Sequence, residues 1–275
     1  MRVCIVGATG FVGAPLVREL SQRGDTCVVL TRGSRDLWRN KRVEVVAADL
    51  SKLGSWQQHI SGCDAVINLA GARIIDPTRR WTADRKKLLR SSRIDLTHNL
   101  AMAICEAKQR PSALLNASAV GYYGSRDDDV IDERSGPGKD FLAELCVDWE
   151  AAAMGAGSNV AVTLLRTGMV LGNGGGVLGS LLPLFKTGLG GPWGHGNQWW
   201  SWIHLADEVG LILHALDRGV TGPINLTAPK PVTVNEFAEA LGSGLRRPSL
   251  FRAPEAMLRI ALGESASALM ASQRV

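Results

Sequence analysis

Cysteine is scarce in this chain, and its positions do not suit disulfide bonds or a zinc site. The five cysteines, at positions 4, 27, 63, 105 and 146, are odd in number and form no C-x-x-C pair. Disulfide frameworks use even numbers of cysteines, and zinc sites bring them close together in the sequence. We therefore expect neither a disulfide scaffold nor a structural zinc site.

Long apolar stretches are also missing. No run approaches the roughly 18 residues that a membrane-spanning helix needs. The N-terminal MRVCIVGATGFVG becomes glycine-rich where a secretion signal would continue apolar to a cleavage site. Hydrophobic residues make up 45% of the chain, so a sizeable core can form. We expect a cytoplasmic protein that does not contact membranes.

The formal net charge is +5, which leaves nucleic acid, a membrane surface or an anionic small molecule as candidate partners. The densest basic stretch, RRWTADRKKLLRSSR at 79–93, is typical of the solvated face of a helix. No aromatic platform or recognition motif accompanies it, so we do not expect nucleic-acid binding. The expected partner is a small-molecule substrate, and the oligomeric state is left open.

Apolar strands alternate with helical patterns over residues 1–170. Helical spacing fills 11–24, 82–109 and 139–154, and the strand-like runs are 2–8, 26–32, 43–50, 64–71, 112–120 and 160–170. Strands that are apolar on both sides and separated by helices indicate a parallel sheet covered on both faces. The predicted fold class is α/β, a Rossmann-like doubly wound parallel sheet.

Residues 171–275 differ in composition from the rest of the chain, with a segment rich in glycine and tryptophan at 171–202. A helix at 205–217, a strand at 223–228 and a helix at 233–245 follow it. We predict a small C-terminal substrate lobe that is interleaved with the last sheet strands. Four tryptophans cluster there, either as a stacking wall for a planar or sugar ligand or as the core of the lobe: Trp193, Trp199, Trp200 and Trp202.

The stretch GATGFVG follows the first strand and opens the first helix, as a dinucleotide fingerprint requires. Gly7 permits the tight turn, Gly10 lets the backbone approach a pyrophosphate, and Gly13 lets the helix pack on the strand. The positive end of the helix would hold the phosphates. The other residues expected to contact the cofactor here are Thr9, Phe11 and Val12.

The second strand ends in Thr31 and Arg32, where an NAD site carries an acid for the ribose 2′-hydroxyl. Arginine cannot accept a hydrogen bond from a hydroxyl, but it can hold a 2′-phosphate with two hydrogen bonds. Arg35 could assist. The cofactor is therefore predicted to be NADP(H).

Further motifs occur along nearly the whole chain: NLAG (68–71), RRW (79–81), SAVGYYG (118–124), DWEAAA (148–153), LRTGMVLGNGGG (165–176), GLGGPWGHGNQWWSWIHLAD (188–207) and NLTAP (225–229). With GATGFVG, they resemble the extended short-chain dehydrogenase/reductases. More narrowly, they resemble an atypical, sugar-epimerase-like family of epimerase family proteins, some of which are described as SulA-like cell-division inhibitors. Family members continue past ASQRV, so the C-terminal lobe is expected to be shortened.

The resemblance implies further cofactor contacts. Asp49 and Leu50 would lie beside the adenine, and Leu69, Ala70 and Gly71 would line the cofactor groove after the fourth strand. Each has a structural alternative, because Asp49 could be a simple turn acid and NLAG could be only the end of a strand.

Ordinary members of the superfamily place Tyr-x-x-x-Lys on one helix, a serine after the fifth strand and an asparagine on the preceding helix. By the resemblance, these four positions are Leu142, Cys146, Ser118 and Arg93 here. Leucine cannot transfer a proton, and an unpaired buried thiol has no reason to be acidic. The usual proton relay is therefore not expected.

Tyr122 and Tyr123 are the only tyrosines in the chain, and both follow Ser118 closely. A phenol at this place could supply the proton, or the rings could anchor the loop. Arg93 could bind the cofactor pyrophosphate or ribose and replace part of the missing lysine charge, or it could be an exposed helix residue. The expected catalytic residues are Ser118, Tyr122 and Tyr123.

No metal is expected, because His195 and His204 lack partners at ligand spacing, and His204 is interpreted as a helix cap or packing residue. The predicted function is an NADP(H)-binding atypical oxidoreductase or epimerase-like enzyme acting on a small polar substrate. The alternative is a non-catalytic NADP(H)-sensing regulatory protein, linked to cell division only through the resemblance.

Overall fold

Parallel strands alternate with helices over much of the computed structural model, which describes residues 1–33, 38, 40–76 and 78–275. The strands are β1 (Arg2–Val6), β2 (Thr26–Thr31), β3 (Val43–Ala47), β4 (Ala65–Asn68), β5 (Ala113–Ala119), β6 (Ala161–Thr167), β7 (Met169–Leu171), β8 (Trp199–Trp200), β9 (Trp202–His204), β10 (Gly222–Leu226) and β11 (Val232–Thr233). The helices are α1 (Gly13–Gln22), α2 (Ala83–Ser91), α3 (Ile94–Glu106), α4 (Phe141–Met154), α5 (Gly176–Lys186), α6 (Leu205–Arg218), α7 (Val234–Leu245), α8 (Glu255–Leu262) and α9 (Ser267–Met270).

Seven strands form one sheet in the order β10-β6-β5-β4-β1-β2-β3, and all six pairings are parallel. The chain order reverses between β1 and β4. In open α/β sheets, ligands bind in the crevice at such a reversal, outside the carboxyl ends of the strands. The predicted Rossmann-like parallel sheet is confirmed.

Both faces of the sheet are covered, because neighbouring residues on each strand point to opposite sides. On β1, Cys4 and Val6 belong to the core beneath α3 and α4. Val3 and Ile5 belong to the core beneath α1 and α6. The continuous apolar runs in the sequence reflect this two-sided burial.

The helical pattern predicted for 82–109 is two helices, because the chain breaks at Ser92 and Arg93. The Ser92 hydroxyl accepts a hydrogen bond from the Ala72 backbone N–H at 3.1 Å, which ties the break to the segment after β4. The strand predicted for 160–170 is also divided, at Gly168. A Cβ there would lie 2.8 Å from the Ser201 carbonyl oxygen, so the chain needs glycine where it leaves the sheet.

The segment after residue 170 contributes to two places. α6 packs on the main sheet and β10 extends it beside β6. Two short pairings, β7 with β9 and β8 with β11, frame a separate small core that contains Trp193, Trp200 and Phe237. The segment after residue 170 therefore contributes both to the main sheet and to the small core. No helix within the described ranges is both long and apolar enough to span a bilayer.

Candidate cofactor and catalytic site

The glycine turn after β1 has a shape that side chains cannot adopt. Gly7 has φ of 82°, and a Cβ on it would lie 2.6 Å from the Leu69 carbonyl carbon. A Cβ on Gly13 would lie 2.3 Å from the Gly7 carbonyl oxygen. The turn is closed by a 2.9 Å hydrogen bond from the Gly10 N–H to the same oxygen. Real Cβ contacts do not reach these distances, so glycine is required at both ends of the turn.

The outer surface of this turn is open. Thr9 and Gly10 are exposed, and a Cβ on Gly10 would meet only the Gly7 oxygen, at 3.1 Å. α1 starts directly behind the turn and has no acidic residue in its first turn. Backbone N–H groups at a helix N-terminus attract phosphate. The residues present therefore fit a dinucleotide pyrophosphate.

Phe11 connects the turn to the glycine-rich segment that follows β7. A Cβ on Gly175 or Gly176 would lie 2.8 or 2.7 Å from the Phe11 ring. Because these glycines allow close packing, the segment 172–176 lies against the fingerprint turn. Val12 is half-buried beneath the same region.

The residues expected at the adenosine end lie at the ends of β2 and β3. Thr31 is half-buried and Arg32 is exposed, as contact with a 2′-phosphate requires. Asp49 is exposed and accepts hydrogen bonds from the Ser51 side chain and backbone, which hold the pKa of its carboxyl below the usual value. These are the hydrogen bonds of an aspartate that stabilises a turn through the residue two positions later. Arg35 lies outside the described residues.

Leu50 and the residues that follow β4 are the expected walls of the cofactor groove. Leu50 is buried, and its carbonyl accepts a 2.9 Å hydrogen bond from Asn99. Leu69 and Ala70 are half-buried, and Gly71 is exposed. A Cβ on Gly71 would lie 2.9 Å from the Arg93 guanidinium, so Arg93 packs directly on this expected groove residue.

Arg93 is only 8% exposed, so it is not the exposed helix residue of the alternative interpretation. Its guanidinium donates to the carbonyls of Ala72 at 2.9 Å and Leu89 at 3.4 Å, and it lies 5.1 Å from the centre of the Trp149 ring. Burial lowers the pKa of this group to about 10, so it is still charged near neutral pH.

Ser118 lies at the end of β5 and is also buried. Its hydroxyl donates a 2.6 Å hydrogen bond to Glu150 Oε1 on α4. Arg166 on β6 donates to both oxygens of Glu150, each at 2.9 Å. Burial lowers the pKa of Arg166, but the hydrogen bonds to Glu150 and Tyr123 outweigh that effect and leave the pKa raised. The serine is thus attached to a buried ion pair.

The two tyrosines have different environments. Tyr123 is fully buried, and its hydroxyl donates to Asn225 at 2.7 Å and accepts from Arg166 at 3.0 Å. Tyr122 is half-buried, with its ring centre 3.5 Å from the Arg166 guanidinium carbon. Among the described residues its hydroxyl has no hydrogen-bond partner. Tyr122 is therefore the better placed of the two to act on a ligand.

Leu142 and Cys146 lie near the groove, on the α4 side that the resemblance assigned to Tyr and Lys. Leu142 packs in a cluster with Ala72 and Trp81. The Cys146 thiol is buried. Burial raises the pKa of the thiol to about 12, so it stays protonated near neutral pH.

Sequence reasoning missed the buried polar residues that support this site. Asn68 donates to Thr97 at 2.8 Å and to Asn116 at 2.7 Å, and Trp149 donates to Thr97 at 2.9 Å. These bonds join β4, β5, α3 and α4 behind the groove. The polar residues within otherwise apolar strands were the available signal.

The tryptophans divide between two roles. Trp193, Trp200 and Phe237 pack edge to face with ring centres 4.9–6.1 Å apart and form the small core, so these two tryptophans are not a ligand wall. Trp199 and Trp202 are half-buried. His204 caps α6, accepting from the Ala206 N–H at 3.2 Å, which confirms its interpretation as a cap.

Comparisons with known proteins show the family to which this chain belongs. Residues 3–227 match the NAD dependent epimerase/dehydratase family. The chain is 40% identical over 284 residues to the chloroplastic SDR39U1 homolog of Arabidopsis thaliana, an alignment that covers all of this chain and 80% of that protein. It is 39% identical over 282 residues to the epimerase family protein SDR39U1 of Bos taurus, which covers 100% and 91% of the two chains.

A solved structure extends the comparison to three dimensions. The crystal structure of human epimerase family protein SDR39U1 (isoform 2) with NADPH superimposes with a TM-score of 0.90 at 36% identity. The superposition covers all of this chain and 90% of the human chain. The expectation of an NADP(H) site agrees with the cofactor in that structure.

Proposed function

We propose that this chain, which belongs to the NAD dependent epimerase/dehydratase family, is an atypical NADP(H)-dependent oxidoreductase or epimerase-like enzyme for a small polar substrate. The observation that carries the proposal is the glycine turn at the reversal of strand order. Gly7 and Gly13 have no room for a Cβ, while the face of the turn at Gly10 is open. A turn of this shape lets backbone approach a pyrophosphate.

NADP(H) is favoured over NAD(H) by the end of β2. Arg32 is exposed there, where a carboxylate would repel a 2′-phosphate and a guanidinium attracts it. The human relative crystallised with NADPH supports the same choice. Thr31 and Asp49 lie close to this position, and we retain both as proposed neighbours of the adenosine.

When bound, the cofactor would supply or accept a hydride, and the residues of the chain would position the substrate and move the proton. We propose Tyr122 as the proton donor, because its hydroxyl has no partner among the described residues and its ring stacks on a cation. Ser118 would accept a hydrogen bond, since its own proton is directed to Glu150. Tyr123 is proposed only to hold the loop.

Arg93 supplies positive charge in place of the missing lysine. Its guanidinium touches Gly71 in the groove wall and keeps a positive charge near neutral pH. Leu142 and Cys146 provide an apolar, uncharged surface beside it and take no part in proton transfer. These roles are consistent with a groove that binds the cofactor but lacks the usual phenol and ammonium pair.

The test is the variant Gly10→Val. A side chain at this position would enter the open space in front of the turn, so NADPH binding by calorimetry should be lost while the circular dichroism spectrum is unchanged. Gly210→Ala is the control, because its Cβ would meet nothing within 4 Å. If Gly10→Val still binds NADPH, the turn has only a structural role and does not bind the pyrophosphate. Turnover is then sought by screening small polar carbonyl compounds and alcohols for changes in NADPH absorbance.

A second candidate is a non-catalytic NADP(H)-sensing protein. The observation in its favour is that the Tyr and Lys positions hold Leu142 and a thiol whose pKa is about 12. Tight NADPH binding without turnover in the screen would support sensing over catalysis. A cytoplasmic location and a link to cell division are predictions that accompany these candidates.

A further inference from the structure

Two arginines are buried beside the same short segment after β4. Arg85 and Arg93 are each only 8% exposed. Arg93 donates to the Ala72 carbonyl, and Arg85 donates to the next carbonyl along the chain, that of Arg73. The two guanidinium groups therefore flank one stretch of backbone at the rim of the groove.

Neither of these cations has a carboxylate partner among the described residues. The ion pairs of the neighbouring positive residues involve Arg90 with Asp148 and Lys86 with Glu264, both on the surface. Asp76, which is close enough for the charge of Arg85 to act on its carboxyl, accepts hydrogen bonds from the Thr78 N–H at 3.0 Å and hydroxyl at 2.7 Å. A buried charge without a partner is costly.

Unused donors point in the same direction. Arg85 Nε is buried and has no hydrogen-bond partner within the described ranges. Arg93 donates from its two terminal nitrogens to carbonyls, and no hydrogen bond from its Nε is found in the described part of the chain. Buried donors are normally satisfied, so orphaned ones at a groove indicate an acceptor that binds from outside.

The location of these donors suits a substrate. Arg93 lies against Gly71, in the wall of the cofactor groove, and the adjoining cluster of Ala72, Trp81 and Leu142 includes Ala268 from the C-terminal lobe. The donors therefore lie where the wall of the cofactor groove meets the C-terminal lobe. An anion held there would be positioned next to the residues proposed to act on the substrate.

We propose that Arg85 and Arg93 form a subsite for an oxyanion group, a carboxylate or a phosphate, on the substrate of this protein. This inference rests on the proposed function, because it names the chemical class of the substrate of the same site. Guanidinium groups bind such anions through paired hydrogen bonds, which the unused N–H groups of both arginines can supply. A neutral sugar or alcohol alone would leave these donors unsatisfied.

The test uses the full chain saturated with NADPH, titrated by calorimetry with inorganic phosphate and, separately, with malonate, at constant ionic strength in chloride. Wild-type protein should bind at least one of the two saturably. Arg85→Gln and Arg93→Gln should each weaken that binding about 10–100-fold, the range for a charge-assisted hydrogen bond. Arg110→Gln is the matched control, because Arg110 is exposed and precedes the amino-terminal end of β5, whereas the groove lies at the carboxyl ends of the strands, so its loss should change nothing.

The phosphate and malonate arms distinguish the two anion sources, and each outcome has a meaning. Absence of saturable binding to the wild type, or equal binding by both Gln variants, overturns the subsite. Loss of NADPH affinity with unchanged anion binding assigns the arginines to the cofactor and also overturns it. If circular dichroism shows that a Gln variant misfolds, Arg85→Lys and Arg93→Lys replace it. Lysine keeps the positive charge but lacks the paired N–H donors of a guanidinium, so weakened anion binding is expected.

Failure of the proposed function can be separated from failure of the subsite. If wild-type protein binds no NADPH, the proposed function is wrong. The same titrations on cofactor-free protein then test the arginines alone, where loss of anion binding in both Gln variants still supports the subsite and unchanged binding overturns it.

Discussion

The Ser118 hydroxyl donates a 2.6 Å hydrogen bond to Glu150 Oε1, which is also paired with Arg166 inside the protein. The serine is therefore held by an ion pair that is almost completely buried. Its hydroxyl proton is directed away from the groove, and its oxygen lone pairs are left to accept. This arrangement leads to the first prediction.

Glu150→Gln should strongly destabilise the fold, because it leaves the Arg166 charge buried without its partner. Breaking a buried ion pair from one side typically costs about 3–5 kcal/mol. The free energy of unfolding is measured by urea denaturation. Asp148→Asn is the control, since it removes an exposed pair with Arg90 and should cost less than about 1 kcal/mol. Equal effects of the two substitutions would contradict the buried pair.

Tyr122→Phe and Tyr123→Phe should separate catalysis from stability. Tyr122→Phe should lower turnover by ~10²–10⁴-fold, as loss of a positioned proton donor does, with little change in the melting temperature. Tyr123→Phe removes a partner of both Arg166 and Asn225 and should reduce the free energy of unfolding by about 1–3 kcal/mol. The reverse pattern in rates and melting would place the chemistry on the other ring.

Cys146→Ala should leave NADPH affinity and turnover nearly unchanged. The pKa of the thiol is about 12, so the thiolate is a negligible fraction at neutral pH. The comparison is with Ser118→Ala, which removes the proposed acceptor and should lower turnover. A large loss of turnover in Cys146→Ala, measured by NADPH oxidation, would show that the thiol takes part in the chemistry.

Arg32→Asp should reverse the preference between NADPH and NADH. A charge-assisted contact contributes roughly 1.5–3 kcal/mol, or about 10–100-fold in affinity, and the carboxylate would bind the ribose hydroxyl of NADH instead. Both affinities are measured by calorimetry in wild type and variant. The prediction does not hold if wild-type protein binds the two cofactors equally.

Glu208 should make the stability of the fold depend on pH. This residue of α6 is 1% exposed, one of its oxygens has no partner among the described residues, and burial raises its pKa to about 8 against a weaker opposing effect of the Thr167 hydroxyl. The folded state then holds a proton that the unfolded state releases near the ordinary glutamate pKa of 4.5. Stability should fall as pH rises between these values, by up to ~1.4 kcal/mol per pH unit.

Glu208→Gln should remove this decline, because a neutral amide does not titrate. Urea denaturation across that pH range measures the slope, with Glu239→Gln on α7 as an exposed control. Parallel slopes for wild type and Glu208→Gln would show that the carboxyl is not kept neutral by burial.

Local patterns were enough to predict the layers and the cofactor turn. The runs at 2–8 and 112–120 are apolar on both sides, and this property depends only on neighbouring residues. The glycines of GATGFVG need only one strand and one helix around them. The split of 82–109 at Ser92 was missed, because the break is held by the Ala72 backbone, 20 residues away.

The sequence by itself determined the parallel α/β class and the place of the glycine turn, because both follow from residue types at short spacing, while the absence of the Tyr and Lys pair is an expectation from the family resemblance. Only the tertiary structure decided which of Tyr122 and Tyr123 has a free hydroxyl among the described residues, that Ser118 is bound to Glu150, and that Arg85 and Arg93 flank one segment. These relationships depend on side chains that the fold brings together from different strands and helices. Spacing along the chain does not encode them.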